Sequence, residues 1–186
     1  HQADDWELLM GANKVFWGVA ESRHLVDIIN QTDAVEAIDD EEKLGQPMIR
    51  LSTIQDWGEL QFYLLPYFRE RTFAGDDGRL RAPLSLDDDA KYESGAGQWH
   101  SDFALRYTHY LGNWDLGLHY FNGTSREPLL QLNEQKMKLT PYYQQIQQVG
   151  LDLQYTHEAW LWKWESILRE GQGDTFIAAV GGFEYT

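Results

Sequence analysis

The sequence predicts an all-β chain: an antiparallel, up-and-down β-barrel with about eight strands in view. Three observations lead there. Apolar residues recur with period two in three hairpin-like units. Tight turns alternate with long polar connections. A tryptophan lies in or beside each tight turn.

Residues 8–20 read as an extended stretch whose alternation breaks near Gly11, as a bulge would cause. In the first hairpin, 48–69, Ile49, Leu51 and Thr53 alternate with Arg50 and Ser52. Asp56-Trp57-Gly58 turns the chain. Leu60, Phe62, Leu64, Pro66 and Phe68 then alternate with Gln61, Tyr63, Leu65, Tyr67 and Arg69. In the second, Phe103, Leu105, Tyr107, His109 and Leu111 share one side, and Asp102, Ala104, Arg106, Thr108 and Tyr110 the other. Gly112-Asn113 turns it, and Trp114, Leu116, Leu118 and Tyr120 return against Asp115, Gly117, His119 and Phe121. The third sets Val149, Leu151, Leu153 and Tyr155 against Gly150, Asp152, Gln154 and Thr156. It turns at His157-Glu158 and returns with Trp160, Trp162, Trp164 and Leu168 against Leu161, Lys163, Glu165 and Arg169. Residues 175–185 form a last strand of ambiguous facing. The best helical candidate is 129–139, through Leu129, Leu130, Leu132, Met137 and Leu139.

The connections are tight near 56–58, 112–113 and 157–158, and long near 22–47, 70–100 and 123–147, with a shorter one at 170–174. Strict alternation of short and long is the asymmetry of outer-membrane barrels, whose turns are short on one side of the membrane only. Trp57, Trp114 and Trp160 would then form an aromatic girdle at one interface, with Tyr107, Tyr120 and Tyr155 on the same outer face. The competing account has these tryptophans capping the ends of a soluble β core.

Composition narrows the classes. The 186 residues carry 15 Lys+Arg against 30 Asp+Glu, a formal charge of −15, and no cysteine. Disulfide scaffolds and thiolate metal sites are excluded. An acidic chain repels phosphate, which argues against nucleic acid as a partner. With 8 Trp, 10 Tyr and 8 Phe the chain has the means to build a core, and disorder is not expected. No apolar run reaches the ~18 residues of a transmembrane helix. A mean hydropathy of −0.54 still admits a membrane barrel, whose apolar residues alternate with polar ones and are diluted by loops. His1 begins no signal peptide, so an export signal is expected to lie outside this stretch or to have been removed.

Several pieces of the chain look familiar. They are Phe16-Trp17-Gly18-Val19-Ala20-Glu21-Ser22, Leu25-Val26-Asp27-Ile28-Ile29-Asn30-Gln31-Thr32-Asp33, Lys43-Leu44-Gly45-Gln46-Pro47-Met48, Leu65-Pro66-Tyr67-Phe68-Arg69-Glu70-Arg71-Thr72-Phe73, Gly78-Arg79-Leu80-Arg81, Ser125-Arg126-Glu127-Pro128 and Gly182-Phe183-Glu184-Tyr185-Thr186. Together they resemble a poorly characterised family of Gram-negative, porin-like outer-membrane β-barrel proteins. The resemblance implies export to the cell outer membrane and a chain that continues past both ends. It supplies no catalytic residues, and no cofactor is expected.

In a barrel the less apolar face points inward. That set holds Arg50, Arg69, Arg106, Lys163 and Arg169 with Asp102, Asp115, Asp152 and Glu165, the lumen-lining candidates. They either neutralise one another in a filled interior or line a wet pore whose field biases solute passage. Leu25, Val26, Ile28 and Ile29 are too apolar for an exposed loop. Segment 22–33 therefore either folds inward as a constriction, with Asn30, Gln31 and Asp33 in the narrowing, or packs on the barrel rim. The acidic clusters Asp39-Asp40-Glu41-Glu42, Asp76-Asp77 and Asp87-Asp88-Asp89 lack the spacing of a calcium loop and read as solvated, so no metal site is expected. Six histidines include His109 and His119, but no nucleophile motif or phosphate loop accompanies them, and no enzyme is expected.

The function expected is porin-like passage of a small solute, with outer-membrane lipid and lipopolysaccharide as surroundings and homo-oligomerisation left open. The alternatives are a non-transporting structural or surface-interaction barrel, and a soluble carbohydrate-binding β protein. Thr186 falls inside a strand rather than at a terminal aromatic, so the chain is expected to be part of a larger barrel. Eight strands alone enclose a space that side chains fill.

Overall fold

Period-two patterning becomes strand in all three hairpins, except at Pro66–Arg69. The computed structural model describes residues 2–3, 5–35, 42–75, 77–78 and 83–186. The strands are β1 (Gln2–Ala3), β2 (Trp6–Asn13), β3 (Gln46–Gln55), β4 (Gly58–Leu65), β5 (Lys91–Tyr92), β6 (Asp102–Leu111), β7 (Trp114–Thr124), β8 (Leu129–Asn133), β9 (Lys138–Tyr143), β10 (Gln145–His157), β11 (Trp160–Gly171) and β12 (Gly173–Tyr185). The helical content among the described residues is one 3-10 turn, Gly97–Trp99.

One antiparallel sheet runs β1-β2-β3-β4-β6-β7-β10-β11-β12, and β1 contributes only two residues to it. The other eight strands form a meander in which each pairs with its sequence neighbour, the small sheet's strands aside. Among the described residues the sheet is open: β12 bonds to β11 alone and no strand links it back to β2. A second sheet, β5-β9-β8, lies in the long connections.

The three tight turns fall at Asp56-Trp57, Gly112-Asn113 and Glu158-Ala159, all at the same end of the meander. The long connections, 14–45, 66–101 and 125–144, leave from the other end. The fourth is tighter than 170–174 suggested: β11 and β12 are separated by Gln172, with Gly171 and Gly173 at positive φ.

Three sequence expectations are corrected. Residues 129–139 are not helical but form most of the β8–β9 hairpin, Leu132 opposite Leu139, with Met137 at positive φ in the turn. The leucine spacing fits either period, and Thr140, Tyr142 and Tyr143 tip the segment to strand. The strand expected over 8–20 stops at Asn13, and residues 14–33 leave the sheet. The strand expected to reach Arg69 stops at Leu65, because Pro66 has no N–H to give a ladder.

The small sheet holds an aromatic cluster. Tyr143 stacks on Tyr92 at 5.5 Å and meets Phe68 edge-on at 4.8 Å. Its hydroxyl accepts the Arg71 backbone N–H at 2.9 Å, and Tyr92 donates to Glu70. Burial pushes the Tyr143 phenol up to about 12, and burial with the Glu70 carboxylate pushes Tyr92 up as well. A raised folded-state value means that this stabilisation is complete below the unfolded tyrosine value of about 10. It is lost as pH climbs toward about 12. In an alkaline titration followed by tyrosinate absorbance, Tyr143→Phe should therefore delete a late step. An unchanged amplitude in the step near pH 12 would show that Tyr143 is not one of the two protected phenols.

Candidate functional site

The two faces of the main sheet have opposite character. On one face Leu51, Phe62, Phe103, Leu105, Leu118, Val149, Trp162, Trp164 and Leu168 are all exposed. On the other, Ser52, Asp102, Arg106, His119, Gln148, Asp152, Glu165 and Arg169 are buried. The buried face mixes these groups with Tyr63, Ala104, Phe121 and Ile167, whereas the exposed face is largely apolar, the reverse of a soluble β-sheet, which buries its more apolar side.

The polar face is built from charges that reach across a strand. Arg106 on β6 pairs with Asp152 on β10 through two contacts of 2.9 Å, spanning β7. The pair passes over Gly117, where an added Cβ would strike the Asp152 carboxylate. Gly150 likewise makes room for the His119 ring. His119 Nε2 lies 3.0 Å from Gln148 Nε2, and Gln148 Oε1 accepts from Arg169 Nε at 2.8 Å. Asp102 accepts from Thr124 N–H at 2.9 Å and from Arg126 Nη1 at 2.7 Å, with His100 Nδ1 at 2.9 Å. Toward the tight-turn end, Asp115 accepts from Gln154 at 3.1 Å. Arg50 donates to Glu7 at 2.6 Å. Lys163 lies 2.5 Å from both Glu21 and Glu184. Arg69 stands beyond the end of β4 and donates to the Gly45 carbonyl at 2.8 Å. Eight of the nine charged candidates therefore share the inner face of the sheet, and Arg69 belongs to a connection instead.

What buries this face is segment 14–33. Trp17, Val26, Ile28 and Ile29 pack into one cluster with Tyr63, Ala104, Phe121 and Ile167. The Trp17 ring sits edge-on to Tyr63 at 5.5 Å and 5.1 Å from His119, with the Arg106 guanidinium 5.1 Å from its centre. Two buried charges hold the backbone of the segment. Glu165 Oε1 accepts the N–H groups of Val19 at 2.8 Å and Ala20 at 2.9 Å, and its Oε2 accepts that of Val26 at 3.3 Å. Gly18, at φ +125°, brings the chain against that carboxylate, and a Cβ there would lie 2.6 Å from Oε1. Arg126 donates from Nε and Nη2 to the Ile29 carbonyl at 3.1 and 3.0 Å, with its guanidinium within 5.2 Å of the Phe68 and Phe121 ring centres.

Asn30 and Gln31 are buried. Asn30 Nδ2 donates to the carbonyls of Asn13 and Leu44 at 2.9 and 2.8 Å, and Gln31 donates to that of Arg69 at 3.3 Å. Asp33 accepts from the Thr72 hydroxyl at 2.6 Å. Trp57, Trp114 and Trp160 are exposed at the tight-turn end, stacked or tilted against Tyr107, Tyr155 and Trp162 respectively. Of the acidic clusters, Asp39 to Glu41 and Asp76 lie outside the described residues, as do Arg79, Leu80 and Arg81 of the familiar pieces. Asp87 pairs with Lys136 at 2.7 Å, which holds its carboxyl below the usual range.

Sequence reasoning missed Trp17 and Arg126 as anchors. Both lie inside the familiar pieces 16–22 and 125–128, the one signal that pointed to them. Comparison with family models, with curated proteins and with solved structures finds no match.

Proposed function

We propose that the chain forms the wall and the internal segment of a porin-like β-barrel in the outer membrane of a Gram-negative bacterium, through which a small solute passes. The inverted polarity of the sheet carries the reading. A contiguous apolar face without cover is costly in water and favourable in hydrocarbon. The long strands of 10–13 residues suit a tilted crossing of a bilayer core. Exposed aromatics at the tight-turn end suit an interface girdle, and the resemblance to outer-membrane barrels points the same way. In this reading the outer face meets lipid, the charged inner face lines the lumen, and segment 14–33 narrows it.

The non-transporting barrel has its own support: the Arg106–Asp152 and Arg126–Asp102 pairs neutralise charges that an open pore would leave to water. The deciding experiment reconstitutes the full-length protein in a planar bilayer. Passage predicts discrete conductance steps from a species whose gel mobility changes on heating. Heat-modifiable protein without steps belongs to the structural barrel. A water-soluble monomer needing no detergent contradicts both and returns the carbohydrate-binding reading.

A further inference from the structure

The inner face and segment 14–33 leave a cavity of about 500 Å³ between the segment and the inward side of β11 and β12. It lies toward the end with the long connections, since Arg169 and Phe176 stand near the Gly171–Gly173 turn. Its volume suits a small metabolite. Five of the sixteen residues around it are basic: Arg23, Lys43, Arg71, Arg126 and Arg169. The whole chain has 15 Lys+Arg in 186 residues and a charge of −15, so this concentration runs against the composition.

Of the three acids around the cavity, Asp27 and Glu21 are held by lysines, and the largely exposed Glu127 makes a long contact with Arg169 that a bound oxyanion would replace. Asp27 lies 3.4 Å from Lys43, Glu21 2.5 Å from Lys163 and Glu127 3.6 Å from Arg169. Two of the basic groups differ in what they have left to give. Arg126 is spent on Asp102, Thr124 and Ile29. Arg169 donates from Nε to Gln148 and lies against Phe176, while its Nη1 has only the 3.6 Å contact with the largely exposed Glu127 carboxylate among the described residues. A guanidinium fixed by its Nε and an aromatic face, with its paired Nη donors toward a cavity, is arranged to take a bidentate oxyanion.

We propose that this cavity is an anion site on the solute's route past the inner segment, and that it takes a small solute bearing two or more carboxylate or phosphate oxygens. The inference rests on the porin-like reading and names its solute class. Arg169 would grip the oxyanion, and the exposed Arg23 would supply long-range attraction.

The test uses the full-length protein in a planar bilayer under a potassium chloride gradient, with succinate or inorganic phosphate added as probes. A reversal potential of anion-selective sign and a concentration-dependent block by either dianion are expected, and the more effective probe tells carboxylate from phosphate. Arg169→Gln should weaken the block roughly tenfold or more, the worth of a charge-assisted hydrogen bond. The exposed Arg23→Gln, which leaves the packing alone, should weaken it less. Cation-selective steps, or block by neither probe, would overturn the anion site while leaving passage standing. Block unchanged in both variants would overturn it too. If no steps form, passage itself falls, and calorimetric binding of the same probes to detergent-solubilised protein decides the site: binding that Arg169→Gln weakens supports it, and absence of binding ends it.

Discussion

Replacing Glu165 with alanine should release the inner segment and cost about 3–6 kcal/mol, from two short charge-assisted hydrogen bonds at ~1.5–3 kcal/mol each. The carboxylate is fully buried and accepts the Val19 and Ala20 N–H groups directly. Without it these donors lose their acceptor beside an apolar cluster that includes Trp17, Val26 and Ile167. Glu165→Gln keeps the acceptor oxygen, loses the charge and should cost less. Because the chain has no cysteine, Ile29→Cys supplies a single reporter at a site with no exposure. That thiol should resist a bulky aqueous reagent in the otherwise native protein and label readily once Glu165→Ala is added. Equal, slow labelling in both backgrounds would mean that the segment is held by its apolar contacts and not by the carboxylate.

The second large effect concerns the opposite face. Leu118 lies mid-strand on β7, between Tyr107 on β6 and Leu151 on β10, and is 42% exposed. If that face meets water, Leu118→Arg changes stability by less than ~0.5 kcal/mol, as surface substitutions do. If it meets hydrocarbon, an arginine near the bilayer midplane costs about 2–4 kcal/mol. Chemical unfolding from lipid vesicles should show the larger loss. A loss within the surface range would move the apolar face out of the membrane.

How much of this was legible in the sequence depends on the range of each interaction. The three hairpins were readable because their two faces differ in polarity, so Leu116, Leu118 and Tyr120 separate cleanly from Asp115, Gly117 and His119. The turns were marked by Gly58 and Gly112, although the third turns at Glu158-Ala159 with a non-glycine at positive φ. The β8–β9 hairpin was misread because Leu129, Leu130 and Leu132 fit a helical and a strand period alike. The anchors of segment 14–33 were beyond reach for another reason. Glu165 binds backbone N–H groups 146 residues away, and a backbone donor has no sequence signature. Four apolar residues among the five loop positions 25–29 do indicate that the stretch needs burial; where it is buried depends on strand register, which places Glu165 and Arg106 under it. Arg69 was assigned to the inner face of a strand that Pro66 had already ended.

The most direct measurement of the central claim is a nitroxide scan along β7. Single cysteines at positions 115, 116 and 118 to 121, labelled and reconstituted in lipid vesicles, report collisions with oxygen, which prefers hydrocarbon, and with a water-soluble nickel chelate; Gly117 is passed over because a side chain there would strike Asp152. Period two is expected: high oxygen access at Leu116, Leu118 and Tyr120, and little access to either reagent at His119 and Phe121, which the inner segment covers. Nickel access at Leu116, Leu118 and Tyr120 equal to that of an exposed turn residue such as Asn113 would contradict it.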